Sequence, residues 1–102
     1  MKLTYKKANQ IKQDFQYIIG QQIQTNEGIK EIKEIVVLPI LDGSFGTFPV
    51  NYLLAIDKLN FITQHKEKEM SLMIYFTDNS YIFFFQYLKD RNINLDLSKY
   101  SD

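Results

Sequence analysis

A single histidine and twelve Asp and Glu side chains supply most of the acid–base chemistry open to this 102-residue chain. His65 lies in the run His65-Lys66-Glu67-Lys68-Glu69, which reads as a solvated loop of mixed charge. Nucleophilic catalysis needs a nucleophile, a base beside it and a third group that orients the base. Ser44, Ser71 and Ser80 have no such context. Paired carboxylates do acid–base work when their surroundings push their pKa values apart. Asp42 and Asp57 border apolar segments, but both sit where turns and helix ends favour Asp. Glu31 and Glu34 form no recognised ligand set, and Glu67 and Glu69 are interleaved with lysines. Asp42-Gly43-Ser44-Phe45-Gly46 lacks the spacing of a phosphate-cradling glycine loop and reads as a turn. With no cysteine, the sequence has no disulfide, no Cys-ligated metal and no thiol catalysis. It therefore predicts no enzyme, no metal site and no cofactor.

What the sequence offers instead is aromatic surface. It has eight Phe and seven Tyr, mostly between Phe45 and Tyr87, and no Trp. Aromatic rings carry large burial energies, and Tyr adds a polar tip suited to interfaces. An apolar fraction of 45% with a net charge of +0 rules out global disorder. The balanced charge predicts no nucleic-acid partner, because phosphate binding draws on a basic excess. Lys2, Lys6 and Lys7 make the N-terminus polar, so no signal peptide is expected. No apolar window is long enough for a membrane span. Abundant Ile, Lys, Asn, Tyr and Phe suggest an AT-rich bacterial genome and, by default, a cytoplasmic protein.

The elements that must position these rings can be read from periodicity. Ala8, Ile11, Phe15, Ile18, Ile19 and Gln22 follow helical spacing and predict an amphipathic helix over Thr4–Thr25. Thr4 is its expected N-cap, and Asn26 or Gly28 its left-handed terminator. Ile35 to Leu41 is apolar and β-branched, a buried strand in which Pro39 marks an edge, a bulge or an end. Residues 47–65 fit a helix opened by Pro49 or a pair of strands, and the helix is favoured. Ile93, Leu95 and Leu97 alternate with polar residues as in a short edge strand.

Met70–Phe76 and Tyr81–Leu88 read as a β-hairpin. A two-residue turn at Asp78-Asn79 would set Phe76 opposite Tyr81 and Ile74 opposite Phe83. One face would then carry Met73, Tyr75, Ile82 and Phe84, and the other would be apolar too. A sheet wetted on one side should alternate apolar and polar residues, and this hairpin does not.

The expectation is one domain over residues 1–102 with an α+β fold. An N-terminal amphipathic helix packs on a small antiparallel sheet around the aromatic hairpin. The expected function is a protein-interaction module of accessory, inhibitor or immunity type, with a protein partner or a homodimer at Met73, Tyr75, Ile82 and Phe84. The alternative is a small-ligand-binding domain with an aromatic pocket at Phe45, Phe48 and Tyr52.

Overall fold

The computed structural model describes residues 3–39, 67 and 69–100. It shows an α+β fold in which an N-terminal helix packs on an antiparallel sheet. Helix α1 (Tyr5–Asp14) begins where Thr4 holds an extended backbone and its hydroxyl accepts the Lys7 N–H at 3.2 Å. That bond satisfies one of the amides a helix start leaves open. Ala8 and Ile11 are buried on its inner stripe, and Phe15 and Ile18 extend the stripe beyond the helix.

The helix stops well before Thr25. A 3₁₀ turn at Gln16–Ile18 follows, and then Gly20 takes φ +89°. That conformation strains any residue with a Cβ, so glycine here reverses the chain. Strand β1 (Gln22–Thr25) occupies the stretch expected to be helix. Ile19 follows the helical spacing but stays exposed, because the turn carries it off the core.

Strand β1 turns at Asn26-Glu27 into strand β2 (Gly28–Pro39), with Thr25 paired to Gly28. Gly28, expected to end a helix, instead closes this hairpin at φ +109°. Thr25 Oγ1 donates to the Gly28 carbonyl at 2.7 Å and pins the turn. The first part of β2 pairs with β1 and the second with strand β3 (Met70–Phe76). Between them the register shifts from Ile32 to Glu34, leaving Lys33 as the additional residue. A bulge of this kind bends the strand and curls the sheet. Pro39, which has no N–H to give a ladder, is the last described residue of β2 and stands opposite Met70.

The second hairpin joins β3 to strand β4 (Tyr81–Phe83), in sheet order β1-β2-β3-β4. Its register corrects the sequence reading by one residue. Tyr75 faces Tyr81, Ile74 faces Ile82 and Met73 faces Phe83. The loop spans Thr77 to Asn79 because the Asn79 N–H reaches the Phe76 carbonyl at 3.0 Å and the Phe76 N–H reaches the Ser80 carbonyl at 2.9 Å. Asn79 takes φ +70° to complete it. A slip of one residue moves a strand's side chains to opposite faces.

The strand expected to run to Leu88 ends at Phe83, and helix α2 (Phe84–Asp90) follows. Phe84, Tyr87 and Leu88 recur at helical spacing and are all buried. Asn92, at φ +55°, lets its own N–H bond Lys89 and the Ile93 N–H bond Leu88, at 3.2 and 2.9 Å. This paired closure satisfies the last carbonyls of the helix and turns Ile93 back toward Leu88. The tail is no edge strand. Ile93, Leu95, Leu97 and Tyr100 pack against the core around a 3₁₀ turn at Leu97–Lys99.

Among the described residues, the buried side chains gather into two apolar clusters. The larger lies between the helices and one sheet face and includes Ile11, Phe15, Ile35, Leu72, Ile74, Phe76 and Phe84. The smaller, Val36, Leu38, Met73 and Tyr75, lies on the opposite face.

Candidate functional site

Where β4 runs into α2, side chains alternate across five consecutive residues. Tyr81, Phe83 and Phe85 point outward, 38%, 41% and 41% exposed, while Ile82 and Phe84 turn into the main cluster. The cause is geometric. Strand β4 alternates by pleat, and the helix begins with Phe84 already facing inward. The Phe84 ring meets Phe15 edge to face at 5.1 Å and lies 6.5 Å from the Tyr87 ring. Tyr81 covers one side of Tyr75, with centroids 5.6 Å apart.

The structure divides the four residues expected to form an interface. Met73 and Tyr75 share the second sheet face, and both are buried within the single chain. Ile82 and Phe84 belong to the main core on the other side. The residues that sequence reasoning passed over are Tyr81, Phe83 and Phe85. Their signal was present as the run Phe83-Phe84-Phe85, where strict alternation stops, followed by Tyr87 and Leu88 at helical spacing. Phe45, Phe48 and Tyr52, expected as a ligand pocket, lie outside the described residues.

The most connected polar group is Lys30. It stands beside Ile23 in the first hairpin and reaches the loop of the second. Its Nζ donates to Ser80 Oγ at 2.7 Å and lies 3.2 Å from both Glu27 Oε1 and Asp78 Oδ2. The Phe76 ring lies beneath it at 5.6 Å. Its side chain is only 8% exposed, and a charge so enclosed is held by partners. Desolvation lowers the Lys30 pKa, but the hydrogen bonds to Asp78 and Glu27 outweigh it and leave it above its ordinary value. Asp78 is held down at about 2, first by the Ser80 hydroxyl, then by the Ser80 N–H, with Lys30 adding to both. The group thus ties two turns together by charge.

Burial pushes the Tyr75 hydroxyl up to about 12, with Tyr81 and Glu34 adding to it. Among the described residues, that hydroxyl has no hydrogen-bond partner. Tyr100 is also pushed up to about 12, by burial and by its 2.7 Å bond to Asp14. Burial raises Tyr87, against the opposing charge of Arg91. Asp96 is lowered by the Ser98 hydroxyl and N–H that it accepts in its turn.

Among the described residues, no three His, Cys, Asp or Glu side chains gather as a metal ion would require. No helix there is long and apolar enough to cross a membrane. No protein-family model, curated protein or solved structure matches the chain.

Proposed function

We infer that the protein is a non-enzymatic interaction module, of accessory, inhibitor or immunity type, that works in a bacterial cytoplasm. The observation that carries this reading is the outward strip Tyr81, Phe83 and Phe85. Isolated exposed rings are ordinary, but three exposed rings within five residues of one strand-to-helix corner concentrate aromatic surface in a short stretch of chain. Interface cores are enriched in Tyr and Phe because each ring buries much area for few frozen torsions. Phe84 and Ile82 anchor the corner from within, so docking need not reorder it. The perturbed ionisable groups support the reading as well. Asp78 and Asp96 hold turns, and Lys30 joins two hairpins.

The partner is a second protein, or a second copy of this chain, with an apolar recess for these rings. Affinity capture from the native cell, with the wild type and with Phe83→Ser/Phe85→Ser in parallel, tests this reading. A protein retained by the first and lost by the second supports it, as does a dimer in light scattering that the double variant converts to a 12.1 kDa species. A wild type that stays at 12.1 kDa and captures nothing the variant does not would overturn it.

A further inference from the structure

A groove of about 590 Å³ opens between β1 and the end of α2. Gln22, Ile23, Gln24 and Thr25 all line it from one side, and Tyr87 and the neighbouring charges Asp90 and Arg91 from the other. Successive side chains of a strand point to opposite faces. Four consecutive residues can border one space only if the strand turns its edge toward it. Among the described residues β1 is an end strand of the sheet, so that edge is unpaired.

The register says which amides face the groove. The Ile32 N–H donates to Gln21 O at 2.9 Å, and Gln22, Ile23, Gln24 and Thr25 follow opposite Glu31, Lys30, Ile29 and Gly28. Antiparallel pairs alternate between bonded and non-bonded positions. Ile23 and Thr25 therefore spend their backbone groups on β2, while Gln22 and Gln24 turn N–H and C=O outward. The groove thus offers two donors and two acceptors at strand spacing, which is the complement of an extended polypeptide.

Its far wall adds two opposite charges, Asp90 and Arg91. The Arg91 guanidinium sits over the Tyr87 ring, 5.0 Å from the centroid. No ion pair engages it among the described residues, and its neighbour Asp90 accepts from Gln86 Nε2 at 2.8 Å. A planar guanidinium held against a ring is prepared to grip a carboxylate with two parallel bonds.

We propose that the β1 edge is a docking strand for an extended peptide bearing an acidic side chain, which adds to the sheet and sets its carboxylate on Arg91. This deepens the interaction-module reading and gives the module a second surface, distinct from the aromatic strip. The lysine hairpin clamp holds β1–β2 against the β3–β4 loop, so the edge is presented on a fixed frame.

The test is selection of random displayed decapeptides against the full chain. Enriched peptides should alternate β-branched residues and carry an Asp or Glu. Their binding should fall at least about tenfold in Arg91→Glu, the scale of one charge-assisted pair. The same selection on Arg91→Glu should return basic peptides. Gln24→Pro removes one outward N–H from an edge that tolerates proline, and it should weaken binding by a similar factor. On the wild type, the selected peptide should protect the Gln22 and Gln24 amides from hydrogen exchange, a readout that needs no variant to fold. The proposal is overturned by failure to enrich any peptide. It is equally overturned by peptides that bind Gln24→Pro as well as wild type, or by protection of those amides that rises with protein concentration alone. A partner captured through Phe83 and Phe85 would survive each of these outcomes, so the two readings fail separately.

Discussion

The β1–β2 hairpin shows Gln22, Gln24, Ile29 and Glu31 to solvent on its outer face, while the β2–β3 pair beyond the bulge buries Val36, Leu38, Met73 and Tyr75 there. One strand, β2, serves both halves and changes character at Lys33. The first half is the more polar one: Ile23 and Ile32 enter the core, and the hairpin turn, the bonds from Ile32 to Gly20 and Gln21 and the Lys30 clamp hold it in place. The second is apolar on both sides and carries most of the burial. Hydrophobic stabilisation scales with apolar area removed from water, so the second half dominates stability. The first half is left free to display its backbone edge. The proposed β1 docking edge and most of the apolar burial thus fall in different stretches of one sheet, whereas the outward rings of residues 81–85 adjoin the buried half.

Substitution at the strand-to-helix corner probes this division most strongly. Phe84→Ala removes a fully buried ring and should cost about 3–5 kcal/mol in urea unfolding. Phe83→Ala, one residue away on the outer side, should cost less than about 1 kcal/mol. Equal costs would mean that the alternation across residues 81–85 is wrong. Two positive-φ residues of the hairpin turns, Gly28 and Asn79, come next. Gly28→Ala should lower stability by about 1–2 kcal/mol through backbone strain, with open space around the new Cβ. Asn79→Gly should change it by less than about 1 kcal/mol, because Asn already tolerates the left-handed region. Thermal melts of both variants decide whether the two turns differ as stated.

A smaller effect is expected on the buried second face. Tyr75→Phe deletes a hydroxyl that has no partner among the described residues, and it should be neutral or stabilising by up to about 1 kcal/mol. A clear loss would show that the hydroxyl is hydrogen-bonded in solution. The last prediction concerns pH and the clamp between hairpins. Asp78 has a folded pKa of about 2 against 3.8 unfolded, so its contribution is full above the unfolded value and is lost as pH falls through 2. Lys30 is raised in the folded state, so its contribution is full below 10.5 and fades only above that. Asp78→Asn should flatten the stability curve between pH 4 and pH 2 relative to wild type. An unchanged acid limb would remove Asp78 from the account.

The sequence shows some of this and hides the rest for specific reasons. Thr4 as a cap, the β3 strand and the α+β class were legible because each rests on local stereochemistry or a strong apolar run. The length of α1 was not. Ile18 and Ile19 continue its period, and the reversal depends on one backbone angle at Gly20. Strand β1 has one inward apolar residue, Ile23, too few to show a period of two. The hairpin register turned on whether Asp78-Asn79 or Thr77–Asn79 formed the loop, and both suit Asn at positive φ. That single residue decided which rings face outward, so the interface residues were drawn from both faces. Helix α2 was hidden by its own aromatic start, although Asn92-Ile93 after Leu88 carries the signature of its end.

The central claim is that a partner rests on the outward rings of residues 81–85. Site-specific photocrosslinking in the native cell tests it directly. A photoreactive phenylalanine analogue at Phe83 or Phe85 should trap one discrete protein, or a second copy of the chain. The same group at Tyr17, which is 65% exposed on another element, should not trap it. Absence of a product at residues 83 and 85, or the same product at all three positions, would contradict the account.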